Sequence, residues 1–313
     1  MRLISERPKT STWGLAASLL ALCSLAACAP SRSPEPRPPG PAVPATPEAA
    51  ARDSAVEPLP LVSTFSYFPG EFRYEVITES AIRQPGDSTA GEAHVRTASF
   101  VRLRLDTLGG DSISVEVTLD SVHAERDSLV PAPDSLTPGT SLFSTYIDSQ
   151  GMSLAGMESS GRECSSGDSG ELLAVARDLL IEVPRELLVG ATWSDTSTVT
   201  ICRGGVPVTS GVVRSYEVLD PRRSDDGTPL TRIARTTAFS LAGTQTTAYG
   251  QVIALSGSGE SRAVLELDVS EGIVRGVTRQ GTSAVTVTYG RTSTPFTQVV
   301  RQSVRLVEDG GRR

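Results

Sequence analysis

The feature that most constrains this chain is a period-two alternation of apolar and polar residues that recurs along most of its length. Phe72, Tyr74 and Val76 alternate with Arg73 and Glu75, and Val101, Leu103 and Leu105 with Arg102 and Arg104. Ile113, Val115, Val117 and Leu119 alternate with Ser114, Glu116 and Thr118. Leu265, Leu267 and Val269 follow the same rule, as do Val285, Val287 and Tyr289. Successive side chains of a strand point to opposite faces. The pattern therefore predicts antiparallel sheet with one face in the core and one in water. Gly109-Gly110-Asp111, Asp226-Gly227, Glu271-Gly272 and Gly290-Arg291 fall between the runs. They supply the glycines that tight hairpins need.

One segment breaks the period. From Glu171 to Ile181 the apolar residues Leu172, Leu173, Val175, Ala176, Leu179 and Leu180 fall at helical spacing. Ser169 or Gly170 precedes them and Pro184 stops them. This predicts one amphipathic helix of about three turns laid on the sheet. Strands, one helix, then strands is the order of a β-dominated fold and not of alternating βαβ units. The fold class expected is all-β: a curved antiparallel sheet or half-barrel with one connecting helix near Glu171–Ile181. The β-rich domain is placed at 61–308. It reads as lobes 61–160 and 184–308, joined by a loop and the helix, or as one curved sheet. A disordered tail of 309–313 follows.

The N-terminal part, as far as Pro60, obeys different rules. Arg2, Arg7 and Lys9 precede the apolar run Leu15–Ala27. That run is shorter than the roughly 20 residues a spanning helix needs, and has the length of a signal-peptide core. It ends in Leu25-Ala26-Ala27-Cys28, which resembles the lipobox of bacterial lipoproteins. The resemblance implies cleavage before Cys28, removal of 1–27, a diacylglyceryl thioether on Cys28 and, usually, an N-acyl chain such as palmitate. Several acyl chains, at about 0.8 kcal/mol per buried CH₂, hold a protein on a membrane essentially permanently. Ala29 stands where proteobacterial lipoproteins kept at the inner membrane carry Asp. It points to the periplasmic face of the outer membrane rather than to the inner membrane. Residues 28–60 contain ten prolines and read as an acylated, polyproline-type tether. At about 3.1 Å per residue such a spacer reaches roughly 90 Å.

The folded part resembles uncharacterised β-rich, periplasm-facing bacterial lipoproteins in three places. These are Phe68-Pro69-Gly70-Glu71-Phe72-Arg73-Tyr74, Val189-Gly190-Ala191-Thr192-Trp193 and Asp268-Val269-Ser270-Glu271-Gly272-Ile273-Val274. No activity comes with that resemblance. At the level of fold the chain is also similar to half-barrel lipoprotein carriers, the localisation factors and their relatives, which hold lipid in an apolar concavity.

Four cysteines are present. Cys23 leaves with the signal and Cys28 is the acyl acceptor. Cys164 and Cys202 remain, and an even pair in an exported domain reads as a disulfide. Closing that loop would contribute up to roughly 4 kcal/mol. Two cysteines without a nearby histidine fall short of a four-ligand zinc site, and a redox pair is more often C-x-x-C.

Composition excludes further chemistries. The net charge is −7, and residues 1–27 hold three basic residues and one acidic, so the remainder stands at −9. A mildly acidic body has no electrostatic footprint for nucleic acid. Lys9 is the only lysine and asparagine is absent. The mature chain therefore has no lysine for a Schiff base or a phosphate clamp. Aromatics make up 5%, too few for the girdles of an outer-membrane barrel.

Gly167-Asp168-Ser169-Gly170 resembles the nucleophile motif of chymotrypsin-like proteases. Glu171 replaces the next glycine, and His94 lies too close upstream of Ser169 to fit that family's complete first barrel and half of its second. An N-cap role for Asp168 or Ser169 is favoured. His94 and His123 are the only histidines and read as solvated strand-end residues rather than general bases. Asp225-Asp226 and Asp106/Asp111 read as turn residues, not calcium ligands. Gly257-Ser258-Gly259 lacks the lysine and helix of a phosphate loop. Trp193 reads as a core anchor. No catalytic residue, metal ligand or cofactor is assigned. The expected role is a membrane-anchored, non-enzymatic binding or structural module of the envelope. Its partners are the membrane through Cys28 and an envelope protein, peptidoglycan or lipid. The alternative is a carrier of lipid or another apolar ligand in a half-barrel cavity.

Overall fold

The computed structural model describes residues 62–85, 92–126, 138–139, 141–151, 175, 177–203, 206–247 and 249–309. Each alternating run has become a strand, except that Val269 falls in a turn. In chain order they are β1 (Val62–Thr64), β2 (Gly70–Arg83), β3 (Ala93–Gly109), β4 (Ser112–Arg126), β5 (Ser141–Asp148) and β6 (Glu186–Leu188). There follow β7 (Thr192–Arg203), β8 (Val206–Arg223), β9 (Pro229–Thr246), β10 (Val252–Asp268), β11 (Ile273–Tyr289) and β12 (Thr292–Asp309). Ten strands form one antiparallel sheet in the order β5-β4-β3-β2-β12-β11-β10-β9-β8-β7, and β1 pairs with β6 separately. The fold class read from the sequence is the one observed.

The first and last strands of the large sheet's chain path meet in its middle. β12 pairs with β2 from Thr297↔Arg83 to Asp309↔Phe72. The segments before and after the helical region thus share one ladder. The longest strands have 18 residues, about 60 Å at 3.4 Å per residue. Register shifts at Phe100/Val101, Leu219/Arg222, Glu266/Leu267 and Leu306/Glu308 fall toward one end. Bulges bend the strand that carries them and increase twist. We call this the lower end; it is also where β1 and β6 lie.

The predicted hairpins all occur. Gly109, Gly110, Gly227, Gly272 and Gly290 have positive φ and join the strand pairs expected. Gly272 is the most restricted. Its φ is +65°, and a methyl group there would run into the Ser66 carbonyl oxygen and the Phe68 ring. Gly272→Ala is expected to cost about 1–3 kcal/mol, read as a lower urea midpoint at unchanged m. A change below about 0.5 kcal/mol, within the scatter of surface substitutions, would mean that this crowding is easily relieved.

The inner face carries two apolar clusters. The lower is built around Tyr74, Val101, Leu103, Leu119, Ile233, Leu265, Leu267, Val277 and Val304, with Phe65 and Tyr67 from the segment after β1. The upper contains Ile82, Val208, Val212, Phe239, Leu241, Leu255, Val285 and Phe296. The outer face of β12, β2, β3 and β4 carries charge instead. Arg301, Glu79, Arg96 and Glu125 are register partners across these four strands. Arg96 lies 3.7 Å from Glu79 and 3.4 Å from Glu125. Exposed pairs of this kind contribute little stability. They also make these strands unsuited to face lipid, where an arginine at mid-bilayer costs roughly 2–4 kcal/mol.

The helix is shorter at its C-terminal end than the sequence predicts. Val175 and Arg177–Leu179 are helical, and Leu180 and Ile181 are not. The cause is Tyr67, whose ring is buried edge-on to Phe65 at 4.9 Å. Its hydroxyl donates to the Ile181 carbonyl at 3.1 Å and accepts from the Ile181 N–H at 3.0 Å. A side chain thus takes the backbone groups of Ile181, and the turn ends before Pro184. The rest of the predicted helix lies outside the described residues.

Candidate functional site

Between the two apolar clusters the inner face turns polar. The register places Thr78, Gln302, Arg279, Ala263, Arg235 and Tyr216 side by side across β2, β12, β11, β10, β9 and β8. Arg279 and Arg235 are both register partners of Ala263. One intervening strand puts their backbones about 10 Å apart. Ala263 is small, which leaves room above it for a group that reaches both.

That group is Asp178, from the helical turn. Its Oδ1 lies 2.8 Å from Arg235 Nη1 and its Oδ2 3.1 Å from Arg279 Nη1. The three side chains are 7%, 2% and 2% exposed. Burial alone would raise the Asp178 carboxyl, but Arg235 and Arg279 outweigh it and hold the group below the usual carboxylate range. Asp178 in turn outweighs burial at Arg235 and raises its guanidinium. Gln302 extends the network, its Oε1 3.4 Å from Arg279 and its Nε2 donating to Thr78 at 3.1 Å. Val175 and Leu179 of the same turn are fully buried in the lower cluster.

A second group adjoins the first toward the β7 edge. Arg214 Nη1 donates to Asp195 Oδ1 at 2.7 Å, and the Tyr216 hydroxyl donates to Asp195 Oδ2 at 2.7 Å. Trp193 stacks on Tyr216 with centroids 4.8 Å apart and planes 6° from parallel. The Trp193 indole N–H donates to the Glu182 carbonyl at 3.1 Å, which fastens β7 to the chain leaving the helical turn. The reading of Trp193 as an anchor fits this geometry.

The other residues singled out in the sequence are scattered. His94 is exposed near the start of β3, where it lines a charged groove of about 640 Å³ with Glu79, Arg96, Glu125 and Arg301. The His123 side chain on β4 is 74% exposed and sits 3.8 Å from Glu125. Asp226 is a turn residue, as read. It accepts from Ser224 Oγ, from the Thr228 N–H at 3.0 Å and from Arg275 at 2.8 Å. Those donors hold it far below the usual carboxylate range. Gly257, Ser258 and Gly259 lie mid-strand in β10. Cys202 is in β7 opposite Pro207. Cys28, Cys164, Asp168 and Ser169 lie outside the described residues, and with them the acylation, the disulfide and the helix cap expected from the sequence. Among the described residues no group of three metal-binding side chains is found.

Sequence reasoning missed the polar belt. The available signal was phase. Arg235 and Thr237 keep the inward parity of Ile233 and Phe239, and Arg279 keeps that of Val277 and Val285. Asp178 lies three residues from Val175, on the apolar side of the turn.

The chain matches no protein-family model and no curated protein sequence. Among solved structures it is similar to the beta domain of a Bordetella autotransporter, BrkA. Identity is 10% over 75% of this chain and 99% of that one, with a TM-score of 0.19. It is also similar to an outer membrane channel from Pseudomonas putida F1, at 6% identity over 83% and 100% of the two chains, with a TM-score of 0.17. Superpositions this poor carry no argument about fold or role. What the chain itself establishes is a curved, ten-stranded antiparallel body pinned from within by a buried Arg–Asp–Arg bridge.

Proposed function

We propose that this chain is a lipid-anchored, non-enzymatic module of the bacterial envelope, with Cys28 as the acylated residue and the β body as a binding or structural unit. The observation that carries the reading is the division of the body into a filled inside and a charged outside. The helical turn and the chain leaving it pack Val175, Leu179 and Ile181 onto the inner face at 3% exposure or less, and Asp178 occupies Arg235 and Arg279 beside them. The outer face of β2, β3, β4 and β12 offers alternating charge to a partner. Val62 and Asp309 both lie at the lower end, so the tether enters there and the opposite hairpins face away from the membrane. An exported chain would also hold Cys164 and Cys202 as a disulfide. The periplasmic face of the outer membrane is the address favoured by Ala29.

The alternative, a carrier of acyl chains, asks for an apolar hollow beneath the helical turn. The floor at that point carries Arg235, Arg279 and Gln302, which favours the first reading.

Feeding cells an alkyne-bearing palmitate analogue tests the anchor. The wild-type chain is expected to take up label and to sediment with membranes, and Cys28→Ser to do neither. An unlabelled wild-type chain would end the proposal.

A further inference from the structure

The outer face of β12, β2, β3 and β4 carries its charges in a fixed order. Arg301, Glu79, Arg96 and Glu125 are register partners on four adjacent strands, with about 4.8 Å from each strand to the next. Read across the sheet, the row is plus, minus, plus, minus. The side chains of Arg96, Glu79 and Glu125 are 46%, 56% and 60% exposed, and Arg301 is exposed as well. Their charged ends therefore stand where a partner can reach them. All four line the groove of about 640 Å³, together with Val299, Ala81 and His94.

This order is antisymmetric about the line between β2 and β3. A two-fold axis along that line exchanges β12 with β4 and β2 with β3. It sets Arg301 of one copy against Glu125 of another, and Glu79 against Arg96, so every position of the row meets its opposite. The order plus, minus, minus, plus would instead bring like charges together. The rows below obey the same axis. Ser303, Ile77, Ala98 and His123 come next. The axis brings the half-buried Ile77 and Ala98 together at the centre, with Ser303 against His123 at the flanks. Glu75 then meets Phe100, its own register partner on β3, over whose ring the Arg73 guanidinium lies at 4.5 Å. One row further Arg73 would face Arg102. Asp120 already holds both at 3.2 Å, so the contact ends there.

We infer that this face pairs with the same face of a second copy of the chain, as an isologous dimer whose sheets are aligned along their strands. The long side chains of each copy enter the groove of the other. Four strands by four rows cover roughly 500 Å² per copy at ordinary sheet spacings, or about 1,000 Å² in all, where specific interfaces begin. The dimer is therefore weak in free solution, and two chains on one membrane meet at a higher effective concentration. This names a partner for the charged face of the module proposed above, and rests on that reading only for the shared membrane. Acyl labelling reports the anchor and self-association reports the face, so either fails alone.

The test is sedimentation equilibrium of the purified full chain in a density-matched detergent, which hides the micelle whether or not the chain is acylated. Wild type is expected to dimerise with a Kd of about 100 µM or below. Glu79→Arg with Glu125→Arg makes the row wholly positive, and Arg96→Glu with Arg301→Glu makes it wholly negative. Each double variant alone should associate at least about tenfold more weakly than wild type, and an equal mixture of the two should regain the association. Each shifts the net charge of −7 by four, so both stay negative and overall attraction cannot bring them together. Glu260→Arg with Arg262→Glu, both exposed on β10, should associate as wild type does. A wild-type chain still monomeric at about 500 µM, single-sign variants that dimerise as wild type does, or a mixture that stays monomeric would each overturn the pairing. The first of these would leave the face to a different partner.

Discussion

Asp178→Asn is expected to lower the unfolding free energy by about 3–5 kcal/mol, the effect of removing one partner from a buried ion pair. The substitution keeps the shape of the side chain and deletes its charge. Arg235 and Arg279 then remain buried with no counter-charge between them. The loss is larger than the strength of either pair, because it includes desolvation of two guanidiniums that water no longer reaches. The same logic fixes a control. Asp178→Leu with Arg235→Met and Arg279→Met removes every charge of the bridge, and should cost less than Asp178→Asn alone, since apolar side chains of similar volume replace buried ion pairs at little or no penalty. If the triple variant proves the weaker, the bridge is a net stabiliser and not mainly a specifier of where the turn sits.

The pH dependence follows from the sign of the shift. The folded-state pKa of Asp178 is depressed. Its contribution is therefore complete above the unfolded value of about 3.9 and is lost as pH falls through the folded pKa. The gap between wild type and Asp178→Asn should be constant near neutrality and narrow below about pH 4. Urea titrations at several pH values measure it. A gap that stays constant to the acid limit would show that Asp178 is not the group being protonated.

How legible this was in the sequence depends on which physical rule governed each residue. Strand positions obey the parity of the backbone, so Phe72, Tyr74 and Val76 announced their own faces, and the glycine turns announced the hairpins between them. Parity also carried the belt, because Arg235 and Arg279 sit in phase with apolar neighbours. A single sequence cannot tell an inward arginine from a break in the pattern until its partner is known. That partner, Asp178, belongs to a different element and is far from both arginines in the chain, 101 positions in the case of Arg279. The helix was visible as spacing, but its end was not. Nothing local marks Leu179 as the last helical residue before Tyr67 takes over, since the Tyr67–Ile181 contact spans 114 positions. Pairing of β2 with β12 was equally hidden, being a closure of the chain's two ends that no short motif encodes. Cys28, by contrast, is read wholly from local sequence and owes nothing to the fold.

The two apolar clusters raise the question of whether the body melts as one unit, and truncations in each are expected to give the same answer. Leu265→Ala in the lower cluster should cost about 2–5 kcal/mol and Phe239→Ala in the upper about 3–5 kcal/mol. Leu265 is fully buried on β10, and Phe239 is 6% exposed on β9. The polar belt lies between them, yet the β9–β10 ladder runs through it without a break, from Thr246↔Val252 to Thr231↔Leu267. Strands β8 to β12 each contribute side chains to both clusters, so opening one end unzips backbone bonds that the other end shares. Trp193 is the only tryptophan after Cys28, and its stack on Tyr216 lies in register with the belt. Its fluorescence therefore reports on the boundary, while far-ultraviolet circular dichroism reports on the whole sheet. In urea both variants should shift both signals together, with coincident midpoints. If Phe239→Ala moves the dichroism transition and leaves that of Trp193 in place, the upper half unfolds alone and the belt is a hinge between two cooperative units.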